Sequence, residues 1–160
     1  ESVEMNEQDM LDVVESAIDQ VQIQAQQRDI TLRFEYDPDQ EVWVLGNNEL
    51  LERLVVNLLT NAVKYSHETS SVAVTLYAQD NQVGCEVRDR GVGIPPEFQE
   101  RLFDRFSRAS TSGGARTRGA GMGLRFVKVV TDRHGGGVRV HSVVSAGRRF
   151  PLLLPRIELA

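Results

Sequence analysis

The apolar positions along the chain change period several times, and each change marks an element. From Met10 to about Arg28, Leu11, Val14, Ile18, Val21 and Ala25 return at steps of three and four, the spacing of one buried helix face. "ITLRFEY" then alternates. Ile30, Leu32 and Phe34 fall on one side of a strand and Thr31, Arg33 and Glu35 on the other, until Asp37 and Pro38 turn the chain. "VWVLG" predicts a short strand, and behind it Asn47 or Asn48 can cap a long helix reaching about Tyr65. "SVAVTLYAQDNQVGCEVRDRG" predicts two strands joined at Asp80 and Asn81, so part of the sheet is antiparallel. Pro95 and Pro96 open a short helix around Phe98 to Phe103, because the N–H that proline lacks has no partner in a first turn. From Ser107 to Ala120 no large apolar residue occurs, which predicts a mobile lid over about 104–120. A helix restarts near Gly123 and ends before "HGGGV", where Gly135 can supply a left-handed cap; "VRVHSV" and "RFPLLLP" close the chain as strands.

A length of 160 residues, 41% of them hydrophobic, suits one domain with one core and leaves no room for a second enzyme domain. No apolar run approaches the ~20 residues of a membrane-spanning helix. The one cysteine, Cys85, excludes an internal disulfide and reads as a small buried hydrophobe in a reducing, cytoplasmic setting. Because the sequence starts at Glu1 and its opening lacks the features of a secretory signal, residues 1–160 are expected to be a single domain cut from a longer protein. Charge adds a local feature. Residues 101 to 133 hold eight Arg or Lys against two acids, a net of +6, so the rest of a −5 chain carries −11. A cationic stretch in an anionic protein suits a local anionic ligand, or a solvated loop, better than a nucleic-acid footprint, which needs a basic face.

Three short motifs carry chemistry. In "NLLTNAVKYS", Asn57 and Asn61 lie four apart on one helix face, with Lys64 further along the same stripe. Amide oxygens are neutral hard ligands suited to Mg²⁺, and an ammonium neutralises phosphate oxygens, although the same spacing also serves an ordinary polar helix face. In "DRGVGIP", Asp89 ends a strand beside Gly91 and Gly93; its carboxylate can accept an exocyclic amino proton from a planar ligand, or simply belong to a turn. In "GAGMGL", Gly119, Gly121 and Gly123 precede a helix whose N–H groups can meet phosphate. A dinucleotide-binding reading fails on position, since those glycines follow the lid instead of the first strand.

Taken in order, "NLLTNAVKYS", "DRGVGIP", "LFDRFSRAS" and "GAGMGLRFVKVV" resemble the successive nucleotide-binding boxes of the catalytic ATP-binding domain of sensor histidine kinases, and "HGGGVRVHSVVSAGRRFPLLLP" resembles its final hairpin. The resemblance runs from about residue 42 to 155 and implies an α/β (α+β) two-layer sandwich of the Bergerat type. In that fold a mixed, largely antiparallel sheet of about five strands is backed by three helices, with a mobile ATP lid. It implies ATP and Mg²⁺ as cofactors. By resemblance Asn61 coordinates the metal with Asn57 beside it, Lys64 contacts phosphate, and Tyr65 flanks the adenine. Asp89 accepts from the adenine amino group, and Gly91, Gly93 and Ile94 shape the base pocket. Phe103 and Phe106 match the phenylalanine box, and Arg108 the basic residue that reaches the terminal phosphate. Gly119, Ala120, Gly121, Met122, Gly123 and Leu124 match the lid hinge and phosphate-facing turn.

The implied reaction is transfer of the ATP γ-phosphoryl group to a histidine, with Asn61, Lys64 and Arg108 as the catalytic set. The acceptor lies on a domain of the same longer protein, which is expected to be a homodimer serving a response regulator. No nucleic-acid partner and no membrane contact by this domain are expected, and its setting is the cytoplasmic part of a sensor. Related ATPases of this fold use a glutamate to activate water, four residues before the metal asparagine; the matching residue here is Asn57, whose amide cannot take that proton. A regulatory pseudokinase or an ATPase of the same fold are the alternatives. His67, His134 and His141 suit structural or surface roles better than phosphorylation, so the chain is expected to bind ATP but barely label itself. Two departures stand out: Asn47 replaces a common acid, and Arg148 and Arg149 replace the small residues usual in the final hairpin.

Overall fold

The first long helix is set by its cap and its stripe. Asp9 Oδ1 accepts from Leu11 N at 3.0 Å, and α1 (Met10–Gln27) buries Met10, Val13, Val14, Ala17, Ile18, Val21 and Ala25. The computed structural model describes residues 3–90, 114–143 and 147–158. The sequence-predicted short helix at Phe98 to Phe103, and residues 104–113 of the expected lid, lie outside them. Helix α2 (Asn48–Tyr65) starts where Asn47 Oδ1 accepts from Leu50 N at 2.9 Å, which selects Asn47 of the two candidate caps. It buries Leu51, Leu54, Val55, Leu58, Leu59 and Ala62 and packs between α1 and α3 (Gly114–Arg133).

The strands are β1 (Asn6–Asp9), β2 (Thr31–Tyr36), β3 (Trp43–Gly46), β4 (Ser71–Gln79), β5 (Gln82–Arg88), β6 (Gly137–Val138), β7 (His141–Val143) and β8 (Gly147–Pro155). The main sheet runs β2-β4-β5-β8-β6, with β7 also on β8. Among the described strands only β2 and β4 pair in parallel, so the sheet is mixed and largely antiparallel as expected. Val72, Val74, Leu76, Val83, Cys85, Val87, Phe150, Leu152 and Leu154 join the buried helix faces in one core. Each Val, Leu or Phe among them is worth roughly 1.5–3 kcal/mol when fully buried. The other sheet face presents polar groups such as Thr75, Glu86 and Arg88, so the domain has two layers, with helices on one side only.

Three local features differ from the sequence reading. Strand β1 pairs antiparallel with β3, Asn6 opposite Gly46 and Asp9 opposite Trp43, in a separate two-stranded sheet. "NEQD" has no apolar alternation to announce a strand; backbone pairing and polar contacts hold it, including Asn48 Nδ2 donating to Gln8 Oε1 at 3.1 Å. Helix α3 begins at Gly114 instead of near Gly123, so Gly119, Gly121 and Gly123 lie within the helix. Once "LRFVKVV" is helical, extending it adds one hydrogen bond per residue fixed, and the good helix formers Ala115, Arg116, Arg118, Ala120 and Met122 are interspersed among the glycines. Finally, "VRVHSV" is not one strand. Val138 faces Leu152 and His141 faces Arg149 in a single register, which puts Arg139 opposite Pro151. Pro151 has no N–H to give; Arg139 N still donates to Pro151 O at 3.0 Å, and the ladder breaks there into β6 and β7.

Candidate functional site

The helical period places Asn57, Asn61 and Lys64 along one side of α2, one turn apart. Asn57 is half-buried, Asn61 is buried, Lys64 is exposed and Tyr65 is half-buried. Arg28, at the end of α1, donates to the carbonyls of Val63 and Lys64, so α2 ends at a fixed position. The Lys64 Nζ sits 5.7 Å from the Tyr65 ring centre. The only acids on α2 are Glu49 and Glu52, two or more turns before Asn61, and Gln20 Nε2 donates to Glu52 Oε1. No carboxylate of α2 therefore stands where it could take a proton from water beside Asn61.

Asp89 follows β5 and is buried, its side chain fully so. The strand register ends with Arg88 opposite Arg149, so the next pair, Asp89 and Arg148, faces across the β5–β8 boundary. Asp89 N donates to Arg148 O at 2.8 Å, and Arg148 N donates to Asp89 Oδ1 at 2.9 Å. The Arg148 side chain then closes on the same carboxylate: Nε donates to Oδ2 at 2.9 Å, and Nη2 lies 2.8 Å from Oδ2. Arg148 Nη2 also donates to the Asn61 backbone carbonyl at 3.2 Å. With the Asn61 amide turned to satisfy both groups, its oxygen accepts from Nη1 and Nη2 at 3.3 Å each. The guanidinium carbon lies 5.0 Å from the Tyr65 ring centre and 5.2 Å from that of Phe150. One buried arginine thus links Asp89, Asn61 and Tyr65.

Burial raises the Asp89 carboxyl above its ordinary range, while the Arg148 charge, the Arg148 hydrogen bonds and His67 pull it back. Cys85, in the strand leading to Asp89, is pushed up to about 12 by burial and then by Glu86, which makes it an inert packing group. His134 is held at both ring nitrogens: Nδ1 pairs with Val130 O at 2.7 Å, and Nε2 accepts from Asn47 N at 3.1 Å. It is a buried clip between the end of α3 and the start of α2.

Of the sequence-predicted residues, Asn61, Tyr65 and Asp89 come together around Arg148, with Asn57 and Lys64 on the adjoining helix stripe. Leu124 is buried in the core. Gly119, Ala120, Gly121, Met122 and Gly123 lie in α3. Gly91, Gly93, Ile94, Phe103, Phe106 and Arg108 fall outside the described residues. The residue the motifs did not place at the site is Arg148; its signal in the sequence was a large cation where the final hairpin usually has a small residue. A divalent metal is a chemical fit to the amides. The Asn61 oxygen already faces a cation, the Arg148 guanidinium.

A helix-backed mixed sheet of this kind is found in solved histidine kinase catalytic domains. The solved mycobacterial sensor histidine kinase MprB superposes with a TM-score of 0.81 at 30% identity, covering 97% of this chain and all of that one. The chain belongs to the histidine kinase-, DNA gyrase B- and HSP90-like ATPase family, whose model matches residues 46–158. The sensor-like histidine kinase SenX3 of Mycobacterium tuberculosis is 37% identical over 153 residues, which cover 96% of this chain and 37% of that protein. The chain therefore spans little more than a third of that relative. Full-length ShkA in complex with AMPPNP shares the fold at TM-score 0.85, with 24% identity over 100% of this chain and 33% of that one.

Proposed function

We propose that this domain binds ATP with Mg²⁺ and transfers the γ-phosphoryl group to a histidine on a phosphoacceptor domain of the same longer protein. That protein would be a homodimeric sensor kinase whose cytoplasmic part hands the phosphoryl group to a response regulator. The observation that carries the reading is the meeting of a buried carboxylate, Asp89, with the α2 amide of Asn61 in one site. Arg148 joins the two groups in this structure; a nucleotide would use both, one for its base and one for its phosphate end. Asp89 would accept from the adenine amino group, and Tyr65 would flank the base. Asn61 and Asn57 would hold Mg²⁺, which supplies neutralisation of phosphate charge. Lys64 would reach the phosphates from the exposed end of the stripe. Arg108, the base-pocket residues Gly91, Gly93 and Ile94, and the Phe103 and Phe106 rings complete the proposed set.

Such chemistry rests on positioning and charge neutralisation. A neutral imidazole already has a lone pair, so the domain needs no strong base. Asn57 in place of an acid supports transfer to an acceptor over hydrolysis. No helix among the described residues is long and apolar enough to cross a membrane. Calorimetric titration with Mg²⁺ and a non-hydrolysable ATP analogue tests the reading. Saturable binding is expected, lost in Asp89→Ala and stripped of its metal dependence in Asn61→Ala. Unchanged binding in Asp89→Ala would overturn the assigned site.

A further inference from the structure

The Asp89 carboxylate that would read the base is already taken. Its Oδ2 accepts from Nε of Arg148, with Nη2 of the same guanidinium 2.8 Å away as an ion-pair contact, and its Oδ1 accepts the Arg148 backbone N–H. Both carboxylate oxygens are therefore engaged by Arg148, on a side chain with no exposure. The same guanidinium lies against the Asn61 amide oxygen and over the Tyr65 ring, which are the groups assigned to the metal and to the flank of the base. Arg148 is itself only 5% exposed, so its charge has few alternative partners in water while it stays in place. A flat, cationic, donor-bearing group filling the space between a carboxylate and an aromatic ring has the shape and hydrogen-bonding sense of an aminopurine edge.

We propose that Arg148 is a resident stopper in the nucleotide site: its guanidinium occupies the place of the adenine amino edge, and ATP binds only when that arm swings out. The proposal rests on the nucleotide-binding reading given above. Arg148 thereby sets affinity and base preference, because the incoming base must offer a donor able to replace a guanidinium N–H on Asp89. The Oδ1 contact is to backbone, so it survives any side-chain change, and the carboxylate stays aimed after the arm is removed. If the arm-out state is a small fraction of the population, apparent affinity falls by that fraction, and removing the arm restores about ten- to hundred-fold.

The test compares the wild-type chain with Arg148→Ser by titration with Mg²⁺ and non-hydrolysable analogues carrying a 6-amino or a 6-oxo purine. Circular dichroism checks that the variant is folded. Tighter binding of the 6-amino analogue by Arg148→Ser, ten-fold or more, is expected. A second arm needs no variant to bind ligand: the Arg148 Nε–H resonance of the wild-type chain should shift as the analogue saturates the site. A resonance that stays fixed at saturation, or equal affinity in the two proteins, overturns the stopper and leaves the nucleotide site standing. Tighter wild-type binding of the 6-oxo analogue overturns it too, since the arginine would then be reading the base. A folded Arg148→Ser that binds neither analogue overturns both the stopper and the nucleotide reading. If Arg148→Ser does not fold, the resonance arm decides.

Discussion

At the scale of single residues, the site depends on a backbone position as much as on side chains. Gly147 has φ of +96°, and a Cβ there would stand 2.3 Å from the carbonyl oxygen of Asp89. A side chain is strained in that conformation and meets backbone that cannot turn aside. Gly147→Ala should therefore lower stability by about 2–4 kcal/mol in urea unfolding, well above the roughly 1 kcal/mol typical of a point change. Sequence reading singled out Asn57, Asn61, Lys64 and Asp89 from residue type and spacing, and the structure brings Asn61 and Asp89 to one arginine. That reading missed the role of Arg148, because nothing in a string says that two strand-end residues 59 positions apart will share a carboxylate.

At the scale of elements, caps and periods were the legible features. The α1 and α2 stripes predicted their helices to within a residue, and Asp80 at φ 55° turns β4 into β5 where a polar pair interrupts the alternation. What failed lacked a side-chain signature. Strand β1 is held by its backbone, and the gap between β6 and β7 comes from a missing N–H on the facing strand. The start of α2 concentrates several contacts on Asn47: its side chain accepts from Leu50 N and donates to Glu4 O, and its own N–H meets His134 Nε2. Asn47→Ala should lower stability by about 1 kcal/mol, while Asn47→Asp should keep most of it, since a carboxylate caps equally well and suits a helix N-terminus. Equal loss in both variants in urea unfolding would show that the donated bond to Glu4 matters more than the cap.

At the scale of the whole molecule, the burial of Asp89 ties stability to pH. The folded carboxyl holds its proton to higher pH than the ordinary value of 3.8, so in the window above 3.8 the folded state binds more protons than the unfolded one. Stability from this group is full below 3.8 and is lost as pH rises through the raised value. The difference between wild type and Asp89→Asn isolates the carboxyl. Urea stability measured at a series of pH values should show wild type losing ground to Asp89→Asn as pH climbs towards neutral. A gain would mean that the arginine pair outweighs burial. The break opposite Pro151 has a different consequence, for solubility. A sheet with open sides can recruit further strands from other copies, and here one side carries the charged pair Arg33 and Glu35 in β2 while the other is cut into pieces of two and three residues. Neither side offers a long, flat template, so copies of this chain are kept from stacking edge to edge, and a missing N–H in β8 acts as a guard against aggregation.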